Sequence, residues 1–393
     1  LNISTGTPLR EPRPPPELEP RVLLKSAVFD DGASAEKSAI ASDDPPRARR
    51  RPPREGRSSI PVSKQRATRD SSSTLFSFSF SFSPISSLAA SDWPRSRMSG
   101  ALVPVVCPGH SRPLAQLHFS NVIEDGFFLI SACLDKMPML RRGETGDWIG
   151  TFAGHKGAVW SAKLNAGATQ AATASADFTV KIWDALTGAE KHTFDHRHIV
   201  KTVDYSPDGA RLLSAGMEKK LRVFDLAAVD AEPLLMVHPA TVRQALWTPD
   251  GDSILTGSDD GNLRVWDVRS QTEVQTIAVG AAITDMEISR DGATVTTASG
   301  RTVTVFDTAT RAVKSKFDLA IDIQTVSLRP DGKQFVAGGA DMWVHVFDAA
   351  DGSELSVHKG HHGPVHCVRY SPEGDFYASG AGDATVRLWK RAE

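Results

Sequence analysis

The 393-residue chain has only three cysteines, Cys107, Cys133 and Cys367. The number is odd and no CxxC pair occurs, which fits a reduced, intracellular thiol inventory better than a disulfide framework. No apolar run reaches about 18 residues, the least a membrane-spanning helix needs. Net charge is small, −2 at neutral pH, so a uniformly basic nucleic-acid binder is excluded. Neither a GxxxxGKS/T loop for phosphates nor a GxSxG nucleophile elbow occurs. Methionine is missing from everything before Met98, and the chain begins at Leu1.

Composition is uneven. Residues 1–97 hold 13 of the 24 prolines, 19 serines, and 16 Lys/Arg against 11 Asp/Glu. The other 296 residues carry 29 Lys/Arg against 36 Asp/Glu, a net of −7. The first stretch, with Arg47–Arg54 as a basic patch, is too poor in apolar residues to offset chain entropy and is expected to be disordered. Its one patterned run, Leu75 to Ser83, alternates Phe and Ser and has the period of a strand. Phe, Ser, Leu and Pro are also what a pyrimidine tract encodes. With no methionine before Met98, residues 1–97 are expected to be conceptual translation of an untranslated leader. A Ser/Arg-rich transit peptide is the rival reading, opposed by the 11 acidic residues. Any peptide from residues 1–97 found by mass spectrometry of the native protein overturns the leader reading.

Residues 98–393 repeat. Strand-like runs end in an aromatic–Asp pair at Trp183-Asp184, Phe224-Asp225, Trp266-Asp267, Phe306-Asp307 and Phe347-Asp348. Stepping on from Asp348 reaches Trp389-Lys390, and stepping back from Asp184 reaches Arg141-Arg142, which makes seven units of about 42 residues. Turn signals such as Ser206-Pro207-Asp208-Gly209 and Ser371-Pro372-Glu373-Gly374 separate short β-rich runs. This period and ending resemble the WD-repeat β-propeller: an all-β, seven-bladed ring of four-stranded sheets. The run Leu102–Val106 stands where other units have their outer strand, so it is expected to complete the seventh blade, with Pro104 tolerated at the edge.

The WD-repeat resemblance implies a polar bracket in the better-kept units. In unit two it is His155, Thr173, Asp177 and Trp183; in unit four His238, Thr256, Asp260 and Trp266; in unit seven His361, Ser379, Asp383 and Trp389. Such sets look like dispersed catalytic triads, but they recur around a ring and serve packing. Unit one has Arg141 in the Trp slot, unit three has Glu218 and Phe224 as substitutes, and units five and six lack the histidine. Those blades are expected to be looser. A zinc site at His361, His362 and His366 is rejected, since the bracket claims His361 and no acidic or thiol ligand adjoins.

Aligning the units places Trp160, Lys201, Arg243, Thr284, Gln324 and His366 at equivalent starts of the inner strands. Leu134, Met217, Asp259, Ala340 and Gly382 precede the bracket acid or its replacement. In WD-repeat families these positions commonly face partners, and Trp160 and Arg243 are residue types enriched at binding hot spots. The plainer reading is blade packing for Trp160 and ordinary solvated loop residues for the others.

The strings Gly146-Asp147-Trp148-Ile149-Gly150, His198-Ile199-Val200-Lys201-Thr202 and Gly363-Pro364-Val365-His366-Cys367 go beyond a generic repeat. They resemble the serine–threonine kinase receptor-associated (unr-interacting) family of WD-repeat proteins, from about Pro108 to Trp389. The resemblance implies a non-enzymatic adaptor with no cofactor, cytoplasmic and nuclear, with protein partners. These are the survival-of-motor-neuron (SMN) complex with Gemin-type factors in spliceosomal ribonucleoprotein assembly, the RNA-binding protein unr and, in animals, transforming-growth-factor-β receptors and Smads. RNA contact is expected to be indirect, and the propeller monomeric within a larger complex. The family's acidic tail after the propeller has no counterpart here, which leaves any partner of that tail without support. The alternative is the small WD-repeat subunit of translation initiation factor three, whose Gly-His-x-Gly-Ala-Val-Trp string is similar. A propeller enzyme is the third reading, with no nucleophile outside the brackets.

Overall fold

The computed structural model describes residues 102–391. The start at Met98, the Phe/Ser alternation and the Arg47–Arg54 patch lie outside the described residues. Every regular element among the described residues is a strand, and the strands form seven four-stranded antiparallel sheets. The inner strands are Leu114–Phe119, Val159–Leu164, Val200–Tyr205, Val242–Trp247, Ile283–Ile288, Ile323–Leu328 and Val365–Tyr370. Each packs beside the next, and the seventh returns to the first. The chain is a seven-bladed β-propeller.

The local chemistry explains why hairpins form where they do. Gly209 and Gly374 hold φ of 69° and 76°, a left-handed conformation that costs a residue with Cβ more. Each closes its turn by donating an N–H, Gly209 to Ser206 O (2.8 Å) and Gly374 to Ser371 O (2.9 Å). Small residues follow on the second strand because neighbouring sheets approach closely there. A Cβ on Gly380 would lie 3.0 Å from Leu114 Cβ of the neighbouring blade one.

The core is made between blades, not within them. Trp183 of blade two packs with Ile130, Leu140 and Phe152 from the side of blade one. Phe194 of blade two and Phe224 of blade three stack with centroids 4.1 Å apart. Burying a large apolar side chain in this way contributes about 2–3 kcal/mol. A single sheet would leave both faces wet, so the hydrophobic stabilisation exists only once the sheets stand side by side.

Closure follows the pattern read from the sequence. Leu102–Cys107 pairs antiparallel with Val386–Arg391, with Pro104 opposite Trp389 and Cys107 opposite Val386. That strand is the outermost of blade seven, so the first strand of the ring shares a sheet with the last three. The interface across the closure is packed like the others. Cys107, Val386 and Leu388 meet Leu114, Leu117 and Leu129, and Phe119, Phe127 and Phe376 cluster beside them with centroids 5.7–6.2 Å apart.

Deleting residues 102–107 is expected to lower the melting temperature by about 10 °C or more, several kcal/mol for a domain of this size. The exposed Val105→Thr control should move it by no more than about 1 °C. Equal melting temperatures for deletion and control would show that the ring does not need this strand.

Candidate interaction face

Each inner strand carries a β-bulge at its second residue, and the bulged residues are Ala115, Trp160, Lys201, Arg243, Thr284, Gln324 and His366. Six of these are the inner-strand positions singled out in the sequence. Ala115 in blade one is the seventh, and its small side chain gave no signal. A bulge re-aims its residue out of the regular alternation, so seven side chains gather round one mouth of the channel. Lys201 Nζ lies 3.0 Å from the centroid of the Trp160 ring. The Arg243 guanidinium pairs with Asp259, and His366 Nδ1 is 2.6 Å from Gln324 Oε1. Met217 and Phe178 are exposed on neighbouring loops. Phe178 lies against His198, centroids 5.8 Å apart.

Below this mouth the channel is closed by side chains that cross it. Gln116 Oε1 accepts from Ser161 Oγ (2.7 Å), while its amide donates to Gln244 Oε1 (3.4 Å). Gln244 donates to Asp285 Oδ1 (3.1 Å). Both Asp285 oxygens receive the Arg369 guanidinium, at 2.7 and 2.6 Å, and Thr325 Oγ1 adds a bond of 2.6 Å. A buried carboxylate is tolerable only when satisfied in this way. Beyond this plug a cavity of about 380 Å³ opens to the other face, lined among others by His118, Lys163, Asp204, Glu287 and Tyr370. Burial pushes the Asp204 and Glu287 carboxyls up and holds His118 well below its ordinary range.

The brackets surround the channel mouth. In blade two the Trp183 indole donates to Thr173 Oγ1 (2.8 Å), which is 2.6 Å from His155 Nε2. His155 Nδ1 is 2.8 Å from Asp177, and the Lys156 N–H donates to the same oxygen (2.8 Å). Blade seven repeats this through Trp389, Ser379, His361 and Asp383, with His362 N–H on the carboxylate (3.0 Å). Burial would raise the Asp383 pKa, but bonds from the His362 backbone, Thr385 and His361 outweigh it and bring it to about 2. Blade one keeps His110, Ser131 and Asp135, with Arg141 in place of Trp donating to Pro108 and Gly146 carbonyls.

Blade four departs from the expected bracket. Trp266, Thr256 and His238 are linked, but His238 Nδ1 turns to Ala240 O (2.8 Å), and Asp260 does not bond it. Asp260 is instead held by Arg264 (2.6 Å) and Ser258 (2.6 Å). The residue after His238 is Pro239, which has no N–H to offer the carboxylate. Arg264, four residues on, supplies two donors. Blades three and six use the same second solution: Glu218 takes Arg222 (2.9 and 2.7 Å), and Asp341 takes His345 (2.6 Å). His345 was not marked by the sequence reading, which looked for histidine only in the loops. Blade five has Gly300 in the place of the acid and Val279 in that of the histidine, so it has neither solution.

Amide exchange across Ile283–Phe306 of blade five is therefore expected to be faster than across Val159–Trp183 of blade two, by about tenfold or more, with blade six between them. Slower exchange in blade five would refute the assignment of stability to these loop acids.

The WD domain, G-beta repeat family matches residues 146–184, 188–225, 233–267 and 352–390. These end in blades two, three, four and seven, the ones that keep both loop histidine and aromatic. The chain is 49% identical over 290 residues to the serine-threonine kinase receptor-associated protein of Dictyostelium discoideum, covering 73% of this chain and 98% of that one. It is 46% identical over 288 residues to the proteins of that name from Gallus gallus and Homo sapiens, covering 73% of this chain and 82% of each. Eukaryotic translation initiation factor 3 subunit I of Aspergillus oryzae is more distant, 28% identical over 316 residues, 72% of this chain and 93% of that one. Identity of this extent over nearly the whole ring means that the chain belongs to the serine-threonine kinase receptor-associated protein family of WD-repeat propellers.

Proposed function

We propose that the protein is a non-catalytic scaffold in ribonucleoprotein assembly, working in cytoplasm and nucleus and holding SMN- and Gemin-type factors and a unr-like RNA-binding protein. The observation that carries the reading is the ring of bulge residues, which displays Trp160, Lys201 and Arg243 from fixed backbone at one end of a plugged channel. A rigid display of an aromatic and two cations suits recognition, since little entropy is lost on docking. RNA contact runs through protein partners, because residues 98–393 are acidic overall, with 29 Lys/Arg against 36 Asp/Glu. Where the source has such pathways, receptor kinases of the kind in the relatives' name are further partners.

Affinity purification with protein identification tests the proposal. Sm- and Gemin-like proteins are expected, and Trp160→Ala with Arg243→Ala should reduce their recovery by about tenfold or more while melting stays unchanged. Recovery of initiation-factor subunits instead would replace this reading with the translation one.

A further inference from the structure

The charges of the ring are sorted by end. On the loops around the bulge mouth, blades one to four expose Arg112, Lys136, Lys156, Arg197, Lys219 and Arg243. The acids of those loops are mostly engaged in brackets or pairs: Asp135, Asp177, Glu218 and Asp260. The turns at the opposite end are acidic, as at Glu124-Asp125, Asp250 and Asp252, and Glu373 and Asp375. The chain's negative balance thus belongs to the far end, and the bulge mouth is locally positive over four blades.

At the centre of that sector Lys201 lacks an anion. Its ammonium lies over the Trp160 ring and makes no hydrogen bond or ion pair among the described residues, although it is half-buried. Burial, and then Arg243, pull its pKa down to about 8. Asp259, whose charge offsets part of this shift, is committed to Arg243. A cation desolvated without a partner gains more from an incoming carboxylate than an exposed one does. Phe178, His198 and Met217 border the same place and offer apolar contact. Lys201 covers a face of the Trp160 indole, and the Phe178 ring already lies against His198, so little open aromatic face is offered to a nucleobase, which favours a peptide.

We propose that blades two to four dock an acidic peptide segment of a partner protein, with one carboxylate between Lys201 and Arg243 and apolar side chains on Phe178 and Met217. This rests on the scaffold reading and specifies its partner's chemistry.

The test is selection of random peptides displayed on phage against the full chain, then fluorescence anisotropy of the recovered peptides and of poly(U) RNA. Recovered peptides should be rich in Asp and Glu with interspersed aliphatic or aromatic residues, and should weaken with salt. Lys201→Glu and Arg243→Glu should each weaken them by about tenfold or more. Lys333→Glu, the same charge change at the opposite end, should stay within about twofold, and Lys201→Arg should retain most binding. The proposal falls if recovered peptides are not acidic, if Lys201→Glu and Arg243→Glu bind them like wild type, or if poly(U) binds more tightly through the same two residues. If the two reversals lose peptide binding yet still co-purify Sm- and Gemin-like proteins, the acidic segment is not the partner's means of attachment. The scaffold reading then survives without this one.

Discussion

Nothing covalent holds this ring shut. The pairing of Leu102–Cys107 with Val386–Arg391 joins segments from the two ends of the propeller, and every interblade core presupposes it. Bringing two points some 280 residues apart together costs about 5 kcal/mol by loop-closure scaling. Six antiparallel pairs and the cluster of Cys107, Leu114, Leu388 and Phe376 offset that cost. The same pairing covers the Val386–Arg391 strand and leaves as the outer edge the strand that carries Pro104, whose missing N–H discourages further pairing. Because closure fixes the angle between neighbouring sheets, it also fixes the spacing of the bulge residues.

Within that frame each loop acid has to be satisfied, and two routes do it. Asp135, Asp177 and Asp383 take a loop histidine, and in each case the following backbone N–H completes the bond set. Glu218, Asp260 and Asp341 take a basic side chain four residues on, from the strand itself. The routes compete for one carboxylate, and in blade four a single proline tips the balance. With Pro239 after His238 the backbone donor is gone, so the guanidinium of Arg264 wins with two donors against one. The first route ties two blades together, while the second stays within one sheet. Blades using the second route keep a satisfied acid but give up a tie to the neighbouring blade.

This explains what could be read from the sequence. Blade number, hairpin turns and the closing strand are written in local signals: a period, a Pro-Asp-Gly turn, a leftover strand before the first unit. The bulge positions followed too, because each repeats at a fixed offset, and only Ala115 escaped, having nothing to mark it. The plug did not follow. Gln116 and Gln244 are 128 residues apart and Asp285 and Arg369 are 84 apart. Gln116, Ser161, Gln244, Asp285 and Thr325 each follow the bulge residue of their strand, so the repeat relates their positions, but their side chains differ and nothing local says which of them meet across the channel. Asp260 was assigned to the histidine by analogy with its neighbours, and the competition that moved it depends on a backbone atom that proline lacks. His345 stands on a strand position where the other units have Met, Lys, Arg or Thr, so its role depends on geometry and not on the pattern.

The overall negative charge disfavours a large polyanion but does not fix what each end of the ring attracts. A six-residue strand is about 20 Å long, so the two ends of the channel are separated by more than twice the Debye length of about 8 Å at physiological salt. The acidic turns around Asp250 and Glu373 are therefore largely screened from a molecule approaching Lys201 and Arg243. Between them the hydrogen-bonded side chains of Gln116, Gln244, Asp285 and Arg369 cross the channel. Each face then presents its own sign to its own partner. The blades thereby give the ring two unlike surfaces: the loops at one end tie most of their carboxylates to histidine or basic side chains, while turn acids at the other end such as Asp250 accept only from a hydroxyl and a backbone N–H of their own turn.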